Sequence, residues 1–101
     1  MEETILKMVC ARLNRIYTPT GSGAEYDLTQ YLRDRVSAAI QELERAGIHP
    51  DGGPADNLFV ADYVCWEYAN REKQEPMPDW LRLARRERWL QQQRENAGGA
   101  V

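Results

Sequence analysis

The chain is poor in several of the residues that carry chemistry. Its 101 residues include one histidine, one phenylalanine and two cysteines. A lone His49 in a Pro-Gly loop, remote in sequence from Cys10 and Cys65, offers no metal-ligand spacing and no Cys-His pair for nucleophilic catalysis. It is read as a solvated loop residue. Cys10 and Cys65 both fall within apolar helical stripes, where a thiol packs as a small hydrophobe. The start, Met1-Glu2-Glu3, is acidic and no apolar signal region precedes the fold, which predicts synthesis in a cytoplasm and unpaired thiols. No apolar run approaches the ~20 residues that cross a bilayer, so no membrane span is expected. Gly21-Ser22-Gly23 and Gly52-Gly53 lack the lysine and following hydroxyl residue of a phosphate loop and are read as turns. No catalytic, cofactor-binding or metal-binding residue is assigned.

Net positive charge is lacking as well. The formal net charge is −3, which gives no global attraction to nucleic acid or to acidic membranes. Its distribution is uneven: residues 48 to 78 carry two basic and six acidic groups, whereas residues 79 to 101 carry five basic and three acidic. The C-terminal segment is locally basic on an acidic protein.

What is present is helical periodicity. With 43% hydrophobic and 29% charged residues and no excess of glycine or proline, the composition is that of one folded domain with a small core. The pattern predicts an all-α fold, a compact bundle of four helices over residues 1–95, with a flexible loop after the first helix and a frayed tail over residues 96–101. Helix one spans about Glu3 to Tyr17, with Ile5, Val9, Leu13 and Ile16 inward. Thr18-Pro19-Thr20-Gly21-Ser22-Gly23 ends it and supplies the mobile loop. Asp27 and Gln30 have capping-box spacing and are expected to open helix two. Leu28, Leu32, Val36, Ala39, Ile40 and Leu43 are its inner stripe, and Gly47 is the left-handed stop.

Pro54 suits the first position of helix three, expected to run to about Lys73. Between Leu58 and Tyr68 only Asp62 and Glu67 are charged, which predicts burial on more than one face and an ion-pair or hydrogen-bond partner for Asp62. Five residues apart, the two carboxylates point in different directions and do not form an acid-base pair. Pro78 opens helix four, where Trp80, Leu83 and Leu90 are expected inward and Arg82, Arg85, Arg86 and Arg88 outward.

Arginine and tryptophan are enriched at protein interfaces, which makes Trp80, Arg82, Arg85, Arg86 and Trp89 the candidate contact residues. The same arginines, with Trp89 as a stacking platform, permit an alternative: a small helical DNA-binding or regulatory adaptor protein. Glu87 interrupts that basic run.

The order of elements carries a resemblance. Ala39-Ile40-Gln41-Glu42-Leu43-Glu44-Arg45-Ala46-Gly47-Ile48 closes one helix. Asp56-Asn57-Leu58 then leads to Asp62-Tyr63-Val64-Cys65-Trp66-Glu67-Tyr68, and Met77-Pro78-Asp79-Trp80-Leu81-Arg82 begins the last helix. Over about residues 3–92 this resembles the small head-tail connector (adaptor) proteins of tailed bacteriophages. The resemblance implies a non-enzymatic structural protein without cofactors that oligomerises as a ring, usually of twelve copies, beneath the portal protein. Such a ring contacts stopper or tail-completion proteins and lets genomic DNA pass without sequence-specific contact. The implied location is the neck of the virion, reached from the host cytoplasm. The resemblance transfers no catalytic residue.

Overall fold

The computed structural model describes residues 1–99, the last three by backbone alone. Four helices follow one another: α1 (Glu2–Arg12), α2 (Ala24–Arg45), α3 (Pro54–Ala69) and α4 (Asp79–Gly99). The fold is all-α as expected, with no strand among the described residues. Of the frayed tail expected over residues 96–101, the side chains from residue 97 and the whole of residues 100–101 lie outside the described residues.

Helix α1 is shorter than its apolar pattern suggests. Ile5, Leu6, Val9 and Cys10 are buried, but the helix stops at Arg12 rather than Tyr17. Asn14 takes a left-handed conformation (φ 55°), the Arg15 amide donates to the Cys10 carbonyl at 2.8 Å, and the Asn14 amide donates to the Ala11 carbonyl at 3.2 Å. This is a Schellman ending with asparagine in the usual place of glycine. Ile16, expected on the inner stripe, is consequently 65% exposed.

The connection to α2 is tied at its first half. The Thr18 amide donates to Thr29 Oγ1 at 3.0 Å, while the buried Thr29 hydroxyl donates to the Glu25 carbonyl at 2.9 Å. Tyr17 donates to Glu3, which also accepts from Arg33 Nε at 2.8 Å. Beyond Thr18 the chain is exposed, and a Cβ placed on Gly21 or Gly23 would meet nothing within 4 Å.

Helix α2 begins at Ala24, ahead of the expected Asp27. The Asp27 amide already donates to the Gly23 carbonyl at 2.9 Å, so Asp27 lies inside the first turn and no side-chain capping box forms. Leu32, Val36, Ala39, Ile40 and Leu43 are buried and Leu28 is half-buried. Gly47 (φ +90°) ends the helix as expected: its amide donates to Glu44 at 3.0 Å and the Ile48 amide donates to Leu43 at 2.9 Å. Ile48 then folds under the helix end, 2% exposed.

Pro54 occupies the start of α3, and Asp51 prepares that start by accepting the Gly53 amide at 2.7 Å. The helix ends at Ala69 instead of Lys73: the Asn70 amide still donates to the Trp66 carbonyl at 3.1 Å, but the Arg35 and Arg71 side chains donate to the Glu67 and Tyr68 carbonyls that a further turn would use. Phe59, Val60, Ala61, Tyr63, Val64 and Cys65 are buried, so α3 does bury more than one face. Leu58, expected with them, is 54% exposed. Helices α1, α2 and α3 all pack on one another, whereas among the described residues α4 packs, of the helices, on α3.

Candidate interaction surface

The face that α4 turns toward α3 is not the one its composition suggests. Leu81 is fully buried, and Ala84, Arg85, Arg88 and Gln92 are half-buried along the same face. Trp80, Leu83 and Leu90, expected inward, are 55%, 59% and 36% exposed, and Arg85 and Arg88, expected outward, turn in. Arg88 supplies the physical reason. Its Nε lies 2.9 Å from Asp56 Oδ1 in the first turn of α3, close enough for an ion pair although not aligned for a hydrogen bond. Its Nη2 donates to the Ala55 carbonyl at 3.1 Å, and its guanidinium lies 5.4 Å from the Phe59 ring centre. A long arginine stem covers apolar surface while its head finds a carboxylate, so charge and burial coexist.

Arg82, Arg85, Arg86 and Trp89 converge with Ala46 and Ile48 on a groove of about 310 Å³ between the end of α2 and α4. Four of the five expected contact residues thus share one surface. The fifth, Trp80, borders a separate depression of about 320 Å³ with Arg12, Asp62, Cys65 and Trp66. Within the groove Arg85 Nε is buried without a hydrogen-bond partner, and Arg82 donates to Asp79 at 2.9 Å. Trp89 is both structural and available. It is 42% exposed, yet a Cβ on Gly47 would sit 3.3 Å from its Nε1. The wall formed by Ala46 and Ile48 was not among the expected contact residues. The signal for it is the buried residue that follows a left-handed glycine at a helix end.

The remaining candidates are structural. Asp62 has the partner expected of it, forming an ion pair with Arg12 of α1. Glu67 lies half-buried; burial first, then repulsion from Glu42, pushes its pKa up, against a weaker pull from Arg35. Burial likewise pushes the Tyr63 hydroxyl well above its ordinary range. Cys10 and Cys65 are free and buried, and burial raises both thiols, the setting of inert rather than reactive sulfur. His49 is exposed, and no group of three or more metal-ligating side chains occurs among the described residues. No helix among them is long and apolar enough to cross a membrane.

Comparison with known protein families, with curated proteins and with solved structures found no match.

Proposed function

We propose that this chain is a structural head-tail connector (adaptor) protein of a tailed bacteriophage. In this reading copies assemble as a ring beneath the portal, extend the DNA channel and join the head to stopper or tail-completion proteins. The protein has no catalytic role and works in the neck of the virion. The observation that carries the reading is the groove at Ala46, Ile48, Arg82, Arg85, Arg86 and Trp89. It is open, lined by arginine and tryptophan, and built where α4 leans on the three-helix core, as suits a docking surface for another protein.

A ring requires a heterologous interface, in which one face of each subunit meets a different face of the next. A basic α4 and the exposed carboxylates Glu25, Asp27, Asp34, Glu42 and Glu44 of α2 put opposite charge on different segments, which is compatible with such contacts. The alternative of DNA binding is weaker, because Arg88 is held by Asp56 in a partly buried pair and Glu87 interrupts the basic run of α4.

Co-expression with the portal protein of the same genome, followed by co-sedimentation and imaging, tests the proposal. A ring of this chain on the portal is expected, with Trp89→Ala and Arg86→Glu reducing incorporation. Failure to join any portal or neck complex would sink it. Retardation of duplex DNA at low salt, lost as salt rises, would favour the alternative instead.

A further inference from the structure

The outer face of α4, opposite the buried line of Leu81, Ala84, Arg85 and Arg88, bears Asp79, Leu83, Arg86, Glu87, Leu90 and Arg94. All six are exposed. Their order is self-complementary when read backwards. About a point midway between residues 86 and 87, Leu83 maps onto Leu90, Arg86 onto Glu87 and Asp79 onto Arg94. We propose that this seam pairs with the same seam of a second copy of the chain, antiparallel, about a two-fold axis at that point.

In that arrangement Leu83 packs on Leu90 of the partner subunit, Arg86 meets Glu87 of the partner subunit, and Asp79 meets Arg94 of the partner subunit. Each contact occurs twice, as an isologous interface requires. A parallel pairing would set Arg86, Glu87, Arg94 and Asp79 each against its own kind, and like-charge juxtaposition is disfavoured. Alternating sign along the seam also argues against a polyanion as its occupant, and two leucines flanked by carboxylates do not suit a lipid surface. The Asp79–Arg82 pair must share its carboxylate, at little cost because both side chains are largely exposed (84% and 67%).

The interface is small, at the low end of specific contacts of ~1,200 Å² or less, so the dimer forms reversibly at high protein concentration. Two-fold pairing closes on itself and cannot extend into a filament. Because Arg86 also lines the groove, the dimer competes with any partner that docks there. The pairing itself does not depend on the connector reading.

Sedimentation equilibrium of the full chain, over roughly micromolar to millimolar loading, tests the inference. A monomer-dimer equilibrium is expected. Arg86→Glu and Glu87→Arg should each weaken it about tenfold or more, the equivalent of ~1.4 kcal/mol. The double variant R86E/E87R should restore it, and an equimolar mixture of the two single variants should form a heterodimer although neither pairs well with itself. Both positions are exposed, and unchanged circular dichroism melting verifies folding. A chain that stays monomeric throughout would overturn the proposal. So would single variants that associate like the parent, or a mixture that fails to pair. Portal recruitment is a separate readout, so loss of either reading leaves the other standing.

Discussion

The three-helix core and α4 are built on opposite plans. In α1, α2 and α3 the apolar stripes face one another, and Ile5, Leu6, Val9, Leu32, Val36, Leu43, Val60 and Val64 are sealed from solvent. Among the described side chains of α4 only Leu81 is sealed, the contact with α3 is completed by Arg85 and Arg88, and Leu83 and Leu90 point outward. The core uses area removed from water, whereas α4 is held by one leucine, one ion pair and the covering stems of arginines. The difference supports the proposed docking role of α4. A helix that keeps its apolar residues for the outside is available to a partner, while the core that carries it is closed.

The contrast is open to direct attack. Leu32→Ala should destabilise by about 2–5 kcal/mol in urea unfolding, since the side chain is fully enclosed and its loss leaves a cavity. Leu83→Ala, at 59% exposure, should change stability by less than about 0.5 kcal/mol in dilute protein. Comparable costs at the two sites would mean that α4 also packs through the face that bears Leu83. Leu81→Ala sharpens the point: a loss of about 2–3 kcal/mol is expected. Hydrogen exchange should show the α4 amides losing protection before those of α1 to α3. Gly47→Ala probes the seam between the two regions. A side chain at φ +90° that also presses 3.3 Å from Trp89 Nε1 should cost about 1–2 kcal/mol and shift tryptophan fluorescence.

Much of the core was legible because local signals and periodicity agreed there. Pro54 at the start of α3, Gly47 after α2, and the Leu32 to Leu43 stripe all stand where the pattern puts them. The misread boundaries turn on local detail: Asn14 in the left-handed region ends α1 early, Gly23 rather than Asp27 precedes α2, and arginine side chains take the last carbonyls of α3. The α4 register was illegible for a different reason. Sorting residues by polarity places every arginine outside, but Arg88 is drawn inward by Asp56, a residue far away in sequence. Four of the candidate contact residues nevertheless fall on one groove, because Arg82, Arg85, Arg86 and Trp89 are spaced at three and four along a helix. Trp80 lies elsewhere.

A further small effect tests whether the core is as apolar in its energetics as in its packing. Glu67 of α3 lies half-buried against Glu42, and its folded pKa stands above its unfolded value. A carboxyl raised in this way favours the folded state while protonated. Its contribution is complete below the unfolded pKa and is lost as pH rises through the folded one. At neutral pH the charged side chain therefore opposes folding. Glu67→Gln should be more stable than the parent at pH 7, by less than about 1 kcal/mol because the site is partly solvated. The advantage should vanish near about pH 3, where the parent carboxyl is protonated as well. Glu3, whose pKa is lowered by Arg33 and then by Tyr17, loses its contribution as pH falls through its folded value, but it does so in both proteins and cancels from the difference. The bond from Arg35 Nη2 to the Glu67 backbone carbonyl at 3.4 Å is untouched by the substitution. If Glu67→Gln proves less stable at pH 7, attraction to Arg35 outweighs burial, and the core, like α4, is held in part by charge.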